Sequence, residues 1–97
     1  MTNLEMMMEH YSEALEELMD AQKYVKLMEH APNPENRNMY RTLAKQELEH
    51  EMMICKSVAN VINDRSEPML RDVWNHLRKH LMNWRGDLEH RIVESEK

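Results

Sequence analysis

The chain is 97 residues long and carries a net charge of −5, with one Gly, three Pro, one Cys and eleven Met. A chain of this length supports one core, so residues 1–97 are expected to form a single domain. Self-association would add the apolar burial that so small a core lacks. Acids and bases are interspersed without a basic face, which argues against a nucleic-acid partner, and no segment has the length and apolar character of a membrane span or signal peptide.

Abundant Glu, Leu, Met, Lys and Arg, with few β-branched or aromatic residues, predict an all-α fold. Thr2 and Glu5 have the form of a capping box, and Leu4, Met8, Tyr11, Leu15, Leu18, Val25 and Met28 follow at helical spacing. They predict a first helix over about 3–30. Pro32-Asn33-Pro34 stops and restarts the chain, with Asn33 as N-cap and Pro34 at the first helical position, so a second helix is expected over about 34–63. Asp64-Arg65-Ser66-Glu67-Pro68 repeats that punctuation, and Leu70, Trp74, Leu77, Leu81, Trp84, Leu88 and Ile92 define a third helix over about 67–94. Gly86, costing about 1 kcal/mol relative to Ala inside a helix, marks a place for a kink or an early end. Both connections are short, which makes neighbouring helices antiparallel: a helical hairpin plus a third helix.

In the second helix, steps of three and four through Tyr40, Leu43, Glu47, His50, Ile54, Ser57 or Val58, and Val61 trace one stripe. It places a carboxylate and an imidazole where a helix normally shows apolar side chains. Burying a carboxylate is costly unless something opposite compensates it, and a divalent metal does so well. Glu17 borders the core of the first helix between the small residues Ala14 and Ala21. It lies 15 residues before Pro32, while Glu47 and His50 lie 13 and 16 residues after Pro34. At about 1.5 Å of rise per residue these are similar heights, so Glu17, Glu47 and His50 are the expected metal ligands. Two carboxylates with one imidazole favour iron or manganese over calcium or magnesium. The bare Glu-x-x-His pair is a weak signal, expected roughly once by chance in a chain with 14 Glu and 6 His. Its weight comes from the stripe, from Glu17 at matching height and from the lack of Lys or Arg on that stripe.

Glu17, with Tyr24 seven residues on and Glu47-x-x-His50 on the next helix, resembles the half-site of the ferritin-like di-iron proteins, including rubrerythrins and the small encapsulated ferritin-like proteins. The resemblance covers the first two helices, about half of the chain. It implies a ferritin-like half-bundle completed by homodimerisation, with Glu47 bridging a di-iron centre, Glu17 and His50 each binding, and ferroxidase-type oxidation of Fe(II) as the activity, an oxidoreductase reaction. The third helix departs from the family pattern, since it has no Glu-x-x-His and only Asp87-x-x-His90 in imitation. The alternative is a non-catalytic helical assembly or adaptor protein, bacterial or prophage, that reuses the scaffold.

Other residues are weighed around this centre. His80 stands at the expected height on the third helix as a further ligand or as a hydrogen-bonding neighbour of the site, though a role outside ligation is favoured, and Tyr24 could orient a ligating carboxylate. Glu13, Asp20 and Glu51 are second-choice ligands, with a solvated flank as the favoured reading of each. His10, His30, His76 and His90 are expected to be dispersed and exposed, Trp74 and Trp84 to anchor the third helix, and Cys55 to be an inert packing residue. A lone Cys and the absence of a leader-like segment suit a cytoplasmic protein.

Overall fold

Thr2 opens the first helix with a reciprocal cap. Its Oγ1 accepts a bond from the Glu5 amide (3.1 Å), and the Glu5 carboxylate accepts one from the Thr2 amide (3.3 Å). The computed structural model describes residues 1–65 and 67–97, the side chains of 63–65 excepted. Among these the regular structure is entirely helical: α1 (Asn3–His30), α2 (Pro34–Arg65) and α3 (Pro68–Ser95). Asn33 caps α2, its Oδ1 accepting from the Glu35 amide (2.8 Å), and Pro34 follows at the start of the helix, where a missing N–H is harmless. The punctuation expected at Asp64-Arg65-Ser66-Glu67-Pro68 lies partly outside the described residues. Pro68 does begin α3, but Glu67 spends its carboxylate on Asn3 Nδ2 (2.8 Å) instead of capping the helix, which ties the start of α3 to the start of α1.

The hairpin seam is a heptad of small and apolar residues. On α1 it runs through Met7, Ala14, Leu18, Ala21, Val25 and Met28, and on α2 through Ala44, Leu48, Glu51, Cys55, Val58 and Ile62, all buried. Ala14, Ala21 and Ala44 let the two backbones come close, and α1 accordingly packs mainly on α2. The buried row of α2 is therefore shifted one residue towards the C-terminus from the stripe expected at Tyr40, Leu43, Glu47, His50, Ile54 and Val61. Those side chains stand half-buried at its rim, apart from His50, which is exposed. On α1 a local shift runs the other way, since Met7 is buried whereas Leu4 and Met8 are exposed. The reason is tertiary. Two interlaced rows on α2 both read as apolar, and α3 covers the Leu48 and Cys55 side, making that one the core.

α3 docks through Trp74, Leu81, Leu88 and Ile92, with Leu70, Leu77 and Trp84 half-buried beside them. Polar links hold its edges: Trp84 Nε1 donates to Gln22 (2.9 Å), Arg91 pairs with Glu29, and Arg41 donates to the hydroxyl (3.0 Å) and carbonyl (3.1 Å) of Ser95. The result measures 50 × 22 × 16 Å, about two helix diameters in its middle dimension. Gln22 and Glu29 mark the side of α1 that meets α3, and Arg41 and Lys45 mark that side of α2. Glu17 lies about 140° around α1 from Gln22, and His50 about 140° around α2 from Lys45, so the opposite face of the hairpin carries them, and none of the described helices lies over it. No described helix is long and apolar enough to cross a membrane.

α3 does not end at Gly86, and a Cβ added there would meet nothing within 4 Å. Gly86→Ala should therefore stabilise the protein by about 0.5–1 kcal/mol in urea unfolding, through helix propensity and a less flexible unfolded chain. A loss of stability would mean that this stretch of α3 needs the freedom of glycine.

Candidate metal centre

Glu17 on α1 and Glu47 and His50 on α2 converge as their heights predicted. One ligand atom from each lies within 4.8 Å of the others, and among the described residues this is the group of three or more such side chains that could hold a metal ion. His50 Nδ1 is 3.5 Å from Glu17 Oε2 and 3.9 Å from Glu47 Oε2. The side chains of Glu17 and Glu47 are 27% and 21% exposed, whereas that of His50 is 55% exposed. The site is thus a notch on the open face of the hairpin, floored by two carboxylates with the imidazole at its lip.

Its electrostatics are unsettled without a cation. Ionised carboxylates only accept hydrogen bonds, and Glu17 Oε2 is buried with no donor in hydrogen-bond geometry. The Glu47 carboxyl is raised from its ordinary 4.5 to about 7, chiefly because holding a proton lets it bond to Glu17. Burial and the negative charges of Glu17 and Asp20 push the same way, while His50 opposes them. Two acids held this close need a positive group between them, either a proton or a metal.

The other candidates fall elsewhere. His80 is outside the group: it is exposed on α3, where its ring lies 5.6 Å from that of His76. Tyr24 is half-buried against the core with the Lys23 ammonium 5.6 Å from its ring centroid. Asp20 and Glu13 are exposed, the latter 3.6 Å from a partly buried His10. His30 is exposed at the end of α1, its Nδ1 2.8 Å from the Lys26 carbonyl, and His90 is exposed on α3. Trp74 is buried in the core and Trp84 half-buried over α1.

Glu51 corrects the reading of it as a solvated flank, because it is fully buried in the seam. Arg85 Nη1 reaches across from α3 to 3.4 Å from its Oε2, in ion-pair range though outside hydrogen-bond geometry, and the Cys55 thiol donates to its Oε1 (3.5 Å). Burial raises the Glu51 carboxyl above its ordinary range, with Arg85 opposing. Burial first, and the Glu51 charge after it, lift the Cys55 thiol to about 12, so Cys55 stays a protonated packing group. The heptad from Ala44 through Leu48, Cys55, Val58 and Ile62 was the signal in the sequence that could have placed Glu51 inward.

No protein-family model, curated protein or solved structure matches the chain.

Two expectations follow from these carboxylates. For Glu47 the folded-state value exceeds the unfolded one, so its contribution to stability is complete below about pH 4.5 and is lost as pH rises through about 7. The chelator-treated protein should lose stability over that window and Glu47→Gln should flatten the slope; an unchanged slope in the variant would place the titration elsewhere. Glu29 and Glu96, held low by Arg91 and Lys45, act in the opposite sense and only at more acid pH. For Glu51 the prediction is an asymmetry. Arg85→Ala leaves a buried carboxylate without its cation and should cost roughly 3 kcal/mol, whereas Glu51→Leu, which leaves Arg85 beside Glu89, should be near neutral or stabilising. Chemical unfolding of both variants reads this directly, and equal losses would contradict it.

Proposed function

We propose that this is a ferritin-like metal-binding protein in which Glu17, Glu47 and His50 hold iron, or manganese, on the open face of the α1–α2 hairpin. The observation that carries the reading is the orphaned carboxylate oxygen of Glu17, buried and facing a second carboxyl and an imidazole nitrogen. The donor set fits such a cation: carboxylate oxygens suit hard ions, and the single imidazole shifts preference towards iron and manganese. Glu47 would bridge, with Glu17 and His50 each binding, as the family resemblance implies; the three ligand atoms lie within 4.8 Å of one another, which supports this reading. Bound iron would supply one-electron redox chemistry with dioxygen, the basis of a ferroxidase activity. The chain's own part is to hold the ligands at the lip of the notch and to give up the proton that Glu47 holds.

One chain supplies three protein ligands and an uncovered face. Tyr24, Tyr40, Leu43, Ile54 and Val61 are half-buried along that face, and Met39 and Met53 are exposed on α2 beside it. A second copy packed there across a two-fold axis would cover this apolar rim, bring a second Glu17, Glu47 and His50 to the first, and complete a four-helix core. We therefore read the functional unit as a homodimer with a di-iron centre at or near its axis. A non-catalytic assembly protein built on the same scaffold is the competing reading, in which the acids share a proton and no metal is needed.

Protein purified without chelators should contain iron or manganese. Its thermal midpoint should rise in added Fe(II) without oxygen, by an amount equivalent to about 2.7 kcal/mol at roughly 100 times the dissociation constant. Glu47→Gln and His50→Ala should lose both the metal and the shift. Because the cation displaces the Glu47 proton, binding should release protons and weaken as pH falls below about 7. Metal content and midpoint unchanged in both variants would leave the competing reading standing.

A further inference from the structure

The imidazoles of His76 and His80 occupy positions i and i+4 of α3, both exposed, with ring centroids 5.6 Å apart and planes at 85°. Residues four apart stand one above the other on a helix surface, the spacing by which a single helix can offer two imidazoles to one ion. Two imidazoles bound to a tetrahedral ion at about 2.0–2.1 Å per nitrogen hold their ring centroids about 5 Å apart, close to the separation seen here. Small rotations of the exposed rings would aim a nitrogen from each at a common point. The backbone, held by Trp74, Leu77 and Leu81 against the core, need not move.

We infer that His76 and His80 form a second cation site, a two-imidazole surface chelate for a borderline divalent ion of the zinc class, completed by water. Its chemistry is complementary to that of the notch on the hairpin. Imidazole ligands without a carboxylate between them favour the later ions, zinc, nickel and copper, over manganese and iron. The site lies on α3, whereas Glu17, Glu47 and His50 lie on the hairpin face that none of the described helices covers, so the two load independently. Because the two ligands span one turn of α3, an ion held there also fastens that turn against opening.

The test is a Zn2+ titration of the full chain followed by NMR of the histidine rings. In the wild type the His76 and His80 ring signals should move together with one midpoint. In His76→Asn the His80 ring, and in His80→Asn the His76 ring, should require a Zn2+ concentration higher by roughly tenfold or more, since the second ligand no longer holds the ion at high local concentration. Both residues are exposed, so the variants keep the fold. His50→Ala should leave the His76–His80 midpoint where it is, which separates this site from the first. Midpoints for the remaining ring that match the wild type, or different midpoints for the two rings in the wild type, would overturn the chelate and leave two independent surface histidines.

Discussion

The close approach of α1 and α2 along a seam of small residues is the constraint on which the rest of the molecule depends. Ala14, Ala21 and Ala44 are fully buried where the helices meet, and the seam continues through Leu18, Val25, Leu48, Val58 and Ile62. That contact forces Glu17 and Glu47 together at its rim. The Glu47 carboxyl is raised from 4.5 to about 7, chiefly by the bond its protonated form makes to Glu17, with burial and the Glu17 charge adding to it. Each buried aliphatic side chain of the seam contributes about 1.5–3 kcal/mol, so the apolar contact sets the helix spacing and the acids accommodate to it.

The two inward-leaning acids of α2 have different fates. Glu51 lies in the seam and is compensated from within the chain by Arg85, a residue that α3 brings from the other side. Glu47 lies four residues earlier, at the rim, where no Lys or Arg ion pair reaches it among the described residues and where its neighbours are Glu17 and a largely exposed imidazole. Internal compensation makes Glu51 structural. The want of it leaves Glu47 to rely on a proton, and makes it the carboxyl on which the proposed metal site depends.

The helices and their breaks were legible because they rest on local chemistry: the Thr2–Glu5 box, Asn33-Pro34 and Pro68 each act within one turn. The meeting of Glu17 with Glu47 and His50 was legible from height alone, since a short turn between antiparallel helices preserves the register. The depth of each residue on α2 was not. Rows beginning at Tyr40 and at Ala44 both carry apolar residues at helical spacing, and only the side on which α3 docks decides between them. The same missing fact hid Glu51, whose partner is 34 residues away in sequence, and placed His80 near a centre that α3 does not approach.

Crystals of protein prepared without chelators, measured with X-rays at the iron and manganese absorption edges, would test the central claim most directly. The account predicts an anomalous peak within coordination distance of the carboxylates of Glu17 and Glu47 and the imidazole of His50, with a second copy of the chain closing over the same face. A map of metal-soaked crystals with no peak there, and with the two carboxyls joined only by a hydrogen bond, would contradict it.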